Sequence, residues 1–437
     1  MPIDSPSPGT LSSDAGRVAA IFANQTRWLL RHAAGTTGTD ADPARIWTGD
    51  GLTAARTGNT GVLIVDPDHR PDAATIDRGL EFLRDTDSGD VLVWSAGDDP
   101  ELELRFLSRG GTDSFRPRWM WRDLPATAPP TSNELADGVT IHIATVADRD
   151  AVAAATAIPY VAPDQIQTTI DLATQPEDVR QVWLLIARTR RPGDEGPVIG
   201  LAALNATSYG GSPVAALFNL GVDPGHRKRG SGTALTRAAC GLAAGQGAIG
   251  IGLNATPDGE RIYRALGFAD CGSGQTWYLT AARLRSPPAA SAISWAERLE
   301  RGEIAALPAP APGLAMPNGE TPLAFAARFG RAGAARWLIA HGVEPEIVPL
   351  WSLELREEAQ VLMRDARYRD ARREPGLTTP LHEAIHTGDE ELARLLIETG
   401  ADLSARDAQY HSTPLGWANA IGRQGIAALI VDAGGTR

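Results

Sequence analysis

Residues 220–233 read Leu220-Gly221-Val222-Asp223-Pro224-Gly225-His226-Arg227-Lys228-Arg229-Gly230-Ser231-Gly232-Thr233. An apolar stretch leads in, Pro224 stops a strand, R-x-x-G-x-G follows, and a helical pattern runs from Thr233 to Ala244. Strand, glycine turn and helix in that order suit a pyrophosphate. Backbone N–H groups of a tight turn converge on one point, and the positive end of the helix adds to them. Gly230 and Gly232 permit close approach of an anion and the positive φ that a Cβ disfavours. Arg227, Lys228 and Arg229 supply charge-assisted donors. The pattern is short, and a plain strand–turn–helix reads almost the same.

A second segment separates the two readings. Leu253-Asn254-Ala255-Thr256-Pro257-Asp258-Gly259-Glu260-Arg261-Ile262-Tyr263-Arg264-Ala265-Leu266-Gly267-Phe268 is a strand end, a helix carrying Tyr263, and a glycine stop. Together the segments resemble motifs A and B of the GNAT (GCN5-related) N-acetyltransferase superfamily, and the resemblance runs over residues 138–285. It implies an α+β fold with a mixed twisted sheet and flanking helices, acetyl-CoA as co-substrate without a metal, and an amine acceptor. It also implies roles. Strand 215–222 splays from its neighbour, so that the backbone near Leu220 and Val222 holds the acetyl carbonyl and the pantetheine arm. The loop Arg227, Lys228, Arg229, Gly230, Ser231, Gly232 and Thr233 holds the pyrophosphate, Asn254 helps fix pantetheine, and Tyr263 protonates the leaving thiolate. Relatives often carry an acidic base on the strand before the loop. Here that position is Asn219, which cannot act as a base, so a water chain, a main-chain carbonyl or a residue of 160–170 such as Asp164 remains open.

The same pattern occurs a second time, altered. Val65-Asp66-Pro67-Asp68-His69-Arg70 matches Val222-Asp223-Pro224-Gly225-His226-Arg227 at an offset of 157, and the offset holds from Pro100 to Pro257, Phe106 to Tyr263 and Gly110 to Gly267. In place of Lys-Arg-Gly-Ser-Gly the first copy has Pro71-Asp72-Ala73-Ala74-Thr75. Both glycines are gone, Pro71 removes an N–H donor, and Asp72 puts negative charge where a phosphate would sit. We therefore expect a tandem arrangement. Residues 1–130 form a degenerate GNAT-like domain that packs against or shapes the substrate cleft, and 131–285 form the catalytic domain. Trp119 and Trp121, in an alternating last strand, are sheet-packing aromatics or ligand stackers.

Thr-Pro-Leu recurs at Thr321, Thr379 and Thr413, the last two 34 residues apart, close to the ankyrin period of about 33. The run from Thr379 through Gly388 and Leu392–Ile397 to Gly400 resembles a nearly complete ankyrin repeat. The expected array is an all-α ankyrin solenoid over 318–437, with a degenerate repeat around 350–376. It follows a Pro/Ala-rich linker with a capping helix or half-repeat over 286–317. Such a stack implies protein binding through its concave face; a buttress for the enzyme is the alternative. His382, His386 and His411 belong to the repeat pattern and not to a metal site.

Net charge is −12. There are 19 acidic against 13 basic residues over 1–130, 14 against 13 over 131–285, and −5 remains for the rest. That excludes a nucleic-acid partner by charge and favours a cationic acceptor. No apolar run reaches the ~18 residues of a membrane span. The N-terminus has no signal-peptide pattern, its first dozen residues have a disordered composition, and Cys240 and Cys271 make no disulfide framework. A cytoplasmic location is expected. Lys228 is the single lysine of the chain. The reading is an N-acetyltransferase for a primary amine of a small molecule or a protein. Its alternative is a non-enzymatic ankyrin regulator that binds acetyl-CoA as a sensor or strut.

Overall fold

The computed structural model describes residues 11, 13–34, 45–125, 138–159, 163–191, 194–311, 313–373 and 378–436. Most of the expected disordered N-terminal stretch, the Pro-rich segment after Pro125 and the side chain of Asp164 lie outside the described residues. The chain divides into two compact units, residues 1–106 with 111–287 and residues 107–110 with 288–437.

The first unit is built on one 12-stranded sheet. Its strands are β1 (Ile46–Gly49), β2 (Leu52–Thr57), β3 (Thr60–Val65), β4 (Val91–Ala96), β5 (Thr112–Asp113), β6 (Arg118–Asp123), β7 (Val139–Ile143), β8 (Val182–Arg191), β9 (Asp194–Tyr209), β10 (Ser212–Val222), β11 (Gly250–Ala255) and β12 (Ala269–Leu279). Its helices are α1 (Asp14–Ala34), α2 (Ala73–Asp85), α3 (Pro100–Ser108), α4 (Arg149–Ala153), α5 (Pro163–Ala173), α6 (Ser231–Gly245), α7 (Pro257–Ala265) and α8 (Ala281–Arg285). The strand order is β1-β2-β3-β4-β12-β6-β11-β10-β9-β8-β7, with β5 beside β12.

Two halves share an order of elements, β3–α2–β4–α3 and β10–α6–β11–α7. Helices α3 and α7 have nine residues each and lie 157 positions apart. Both are followed by a left-handed glycine, Gly110 at φ 90° and Gly267 at φ 85°. The sheet does not keep the halves apart. Strand β6 of the N-terminal half pairs with β11, and β12 of the C-terminal half pairs with β4. Each half thus lends its last strand to the other.

Alternation along β6 decides what its side chains do. Trp119 and Trp121 are buried toward α1, with Trp119 edge-on to Phe22 at 5.1 Å. Met120 enters the opposite core, with residues of α6 and α7. The two tryptophans are packing residues.

Helix α1 was not legible in the sequence. It covers the α6-distal face and packs on both halves, touching β2 as well as β9 and β10. Several of its buried residues are polar. Asn24 and Asn205 bond each other, Nδ2 of Asn205 donating to Oδ1 of Asn24 at 2.7 Å. His32 lies 2.8 Å from the Trp28 carbonyl and 2.9 Å from Thr169 Oγ1. Burial pushes the His32 imidazole down to about 4.

The second unit holds α9 (Ala290–Arg301), α10 (Pro322–Arg328), α11 (Ala332–Ala340), α12 (Ile347–Ser352), α13 (Arg356–Met363), α14 (Ala366–Arg369), α15 (Pro380–Thr387), α16 (Glu390–Glu398), α17 (Pro414–Ala420) and α18 (Gln424–Asp432). Thr321 and Thr413 cap α10 and α17, accepting from Ala324 N–H at 3.1 Å and Gly416 N–H at 3.2 Å, with proline next in each case. His382 is fully buried and turns Nδ1 to Thr379 and Nε2 to the Ser412 carbonyl at 3.4 Å. The pair α12–α13 stacks without a Thr-Pro start. Among the described residues no cluster of His, Cys, Asp or Glu is placed to hold a metal, and no helix is long and apolar enough to cross a membrane.

Candidate active site

Strand β10 carries a bulge where its sequence turns polar. Phe218 pairs with Ala203 and Gly221 with Leu201, so Asn219 and Leu220 face the single Ala202. Asn219 sits at φ 49°; asparagine is among the few residues that tolerate that region. Beside the bulge, β10 leaves its parallel neighbour. It pairs with β11 only over Ala215–Leu217, yet continues to Val222. Past Leu217 the two strands are no longer paired, and Leu220 and Val222 on that stretch are half-buried against the core. A Cβ on Gly221 would stand 2.5 Å from the Pro159 carbonyl oxygen, so glycine lets that segment cross the strand closely. Phe218 stacks on Trp28, centroids 4.6 Å apart and planes at 11°.

The loop after β10 ends at an open helix. Asp223 accepts from Gly225 N–H at 2.8 Å and faces His226 Nδ1 at 3.2 Å. The His226 contact, followed by that N–H, holds its carboxyl below the usual range. Arg227 Nε donates to the Val222 carbonyl at 3.3 Å. Lys228 adopts φ 62° and Gly230, the N-cap of α6, φ 90°. No side chain caps α6, so its first N–H groups and the positive end of its dipole face the loop. Lys228 and Arg229 are exposed and make no ion pair among the described residues.

One expectation about the glycines is corrected. The positive φ values fall at Lys228 and Gly230, not at Gly232. Gly232 lies inside α6, where a Cβ would meet Ile262 Cδ1 at 3.6 Å, an ordinary contact. It marks the place where α6, α7 and β10 converge. Ser231 turns its hydroxyl inward, buried and without a partner among the described residues, while Thr233 is half-buried in the first turn.

Asn254 and Tyr263 lie on β11 and α7. Asn254 Oδ1 accepts the Arg118 N–H at 3.2 Å. Tyr263 is 7% exposed and sets its ring against Phe268, centroids 5.8 Å apart, in the core that holds Leu217 and Leu253. Sequence reasoning missed Trp28, Arg118 and Glu260, whose carboxylate pairs with Arg118; nothing local in the sequence marks these partners.

The corresponding place in the N-terminal half is closed. Strand β3 stays paired with β4 through Ile64, one residue short of its end, and its register with β2 has no bulge. Asp72 caps α2, accepting from Thr75 N–H at 2.7 Å. Arg70 is held by Asp99 at 2.6 Å and Glu101 at 2.7 Å. Phe106 is fully buried, stacked on Trp277 at 4.9 Å.

A family model for the acetyltransferase (GNAT) family matches residues 157–268, and one for the ankyrin repeat matches residues 318–348 and 377–408. The chain therefore carries a GNAT acetyltransferase domain joined to ankyrin repeats. Among solved structures it is similar to a GCN5-related N-acetyltransferase from Kribbella flavida, at 21% identity over 61% of this chain and 96% of that one, TM-score 0.44. A tandem GNAT protein from the clavulanic acid biosynthesis pathway matches at 16% identity over 62% and 97%, TM-score 0.40. A GCN5-related N-acetyltransferase from Sphaerobacter thermophilus matches at 14% over 64% and 97%, TM-score 0.39. No curated protein gives a significant match.

Proposed function

We propose that residues 131–285 bind acetyl-CoA and transfer its acetyl group to a primary amine of a small molecule or a protein. The observation that carries this reading is the coincidence, in one half only, of the β10 bulge, the end of β10 that no longer pairs with β11, and the uncapped start of α6. A strand end released from its neighbour offers backbone donors and acceptors to an extended pantetheine arm. An uncapped helix flanked by Lys228 and Arg229 offers charge and N–H groups to a pyrophosphate. In this assignment Leu220 and Val222 hold the acetyl end through their backbone, residues 227–233 hold the pyrophosphate, and Asn254 bonds the arm. A neutral amine attacks the thioester carbon, the C–S bond breaks, and Tyr263 gives the thiolate its proton; the ammonium proton passes to solvent, from which Tyr263 is reprotonated. The N-terminal half is read as a degenerate copy that keeps the fold and lacks the site.

The ankyrin repeats are proposed to recruit a protein target. Release of coenzyme A across panels of amines and basic peptides, with and without residues 288–437, tests both parts. Removal of the repeats should leave acetylation of a small amine nearly intact and raise KM for the protein target. An equal loss on both would favour the buttress role, and no thiol release with any acceptor would remove the enzymatic reading.

A further inference from the structure

Strand β6 belongs to the N-terminal half by sequence and to the C-terminal half by pairing. It lies between β11 and β12, with Trp119 opposite Asn254 and Arg118 opposite Ala255. Arg118 contacts Asn254 and the helix that carries Tyr263. Its backbone N–H donates to Asn254 Oδ1 at 3.2 Å, and its guanidinium pairs with Glu260 on α7, the helix that carries Tyr263.

Each contact has a directional consequence. A primary amide has an acceptor oxygen and a donor nitrogen. Because the Arg118 N–H occupies the oxygen, the NH2 of Asn254 is the part left without a partner among the described residues. Helix α7 in turn touches the first turn of α6, with Ile262 beside Gly232. A shift of α7 therefore moves one wall of the loop that ends at Gly230.

We propose that Arg118, a residue of the half that has no site, is a positioning residue for the acetyl-CoA site of the other half. It presents the Asn254 NH2 as a donor for a carbonyl of the pantetheine arm, and it holds α7 against α6. The proposal rests on the acetyl-CoA reading above. It also gives the N-terminal half a role that packing alone does not supply.

Binding of coenzyme A to the full chain, measured by calorimetry, tests it. Arg118→Ala keeps the backbone N–H that orients Asn254 and removes only the ion pair to α7; it should weaken binding about five- to tenfold, the scale of coupling between directly contacting groups. The melting temperature should barely change, since the ion pair is 48% and 26% exposed on its two sides and such pairs add little stability. Glu260 also accepts from Arg264 Nε at 2.8 Å, so the conservative variant is the control: Arg118→Lys keeps a cation for Glu260, leaves that bond in place, and should hold affinity to within about twofold. Asn254→Asp retains an oxygen for the Arg118 N–H but loses the NH2, so it should keep the melting temperature and lose about tenfold or more in affinity. Wild-type affinity in Arg118→Ala or Asn254→Asp, or a loss in Arg118→Lys as large as in Arg118→Ala, overturns the proposal. A wild-type chain that binds no coenzyme A overturns the acetyl-CoA reading, and this proposal with it. A chain that binds coenzyme A but ignores Arg118 overturns the proposal alone.

Discussion

The two halves of the first unit run through the same elements and end in opposite states at the same place. In the C-terminal half β10 bulges, parts from β11 and leads into a helix with no capping side chain. In the N-terminal half β3 stays zipped to β4, Asp72 occupies the start of α2, and Arg70 is tied to Asp99 and Glu101. The comparison teaches that such a site is not an extra part added to the fold. It is a set of bonds left unmade. In the N-terminal half a carboxylate and two ion pairs make the corresponding bonds within the chain.

The most severe test of that contrast is Gly230→Asp. A carboxylate at the N-cap of α6 would reproduce Asp72, and the φ of 90° at this position adds strain. Acetyl-CoA binding should fall by about a hundredfold or more. Calorimetry on the wild type should show one site per chain, and two sites would break the comparison.

Next in size is Tyr263→Phe, which gives the C-terminal half the phenylalanine that the N-terminal half has at Phe106. Turnover should drop by about ten- to a thousandfold with little change in acetyl-CoA affinity, because a lost proton donor acts on the transition state. Steady-state kinetics with a single-turnover control for product release would decide it; unchanged chemistry removes the general-acid role.

A third test asks whether the halves stand or fall together. The His32 imidazole is depressed to about 4, chiefly by burial. An unfolded chain takes up that proton from about pH 6.5 downward, so the contribution of neutral His32 is present above 6.5. It is lost as pH falls from 6.5 toward 4, amounting to roughly 3 kcal/mol at most. Because α1 packs on both halves, thermal unfolding followed over that range should show the first unit losing stability as one transition. His32→Gln should flatten the slope. Two separate transitions would mean that the halves are energetically independent.

The smallest expected effect is none. Glycines at Ala73 and Thr75, with Pro71 and Asp72 left in place, should add no second acetyl-CoA site. Asp72 remains bonded to the residue 75 N–H, and its carboxyl lies below the usual range, through its bonds to Thr75 first. A second binding event in calorimetry would show that side-chain bulk, and not the carboxylate cap, closes the N-terminal half.

What could be read from the sequence was whatever local chemistry forces. A turn that receives an anion needs particular residues in consecutive positions, so 227–233 stood out. The ankyrin starts stood out for the same reason, since Thr-Pro meets a capping requirement within four residues. The left-handed residue at 228 did not stand out, because lysine carries no turn signal. Helix α1 was hidden because its buried face contains Asn24, Gln25 and His32, which an apolar-periodicity argument counts as surface. The α12–α13 pair has no Thr-Pro mark, so the gap between Thr321 and Thr379 gave room for a degenerate repeat around 350–376 but not its start, which lies at Ile347. The exchange of β6 and β12 was illegible in principle. Two strands of similar alternation can pair with either half, and the choice is made by the whole sheet.

That exchange also sets an order on synthesis. As the chain leaves the ribosome, β4 is complete by residue 96 but its partner β12 ends at Leu279. The N-terminal half must wait with an open strand edge while more than half of the remaining chain is made, and β6 waits for β11 in the same way. Long-range pairings of this kind form late and leave edges exposed to wrong partners meanwhile. Strands β1–β4 and β7–β10 have their mutual partners early, but the centre of the sheet is completed only when β12 takes its place between β4 and β6, two strands that emerged long before it.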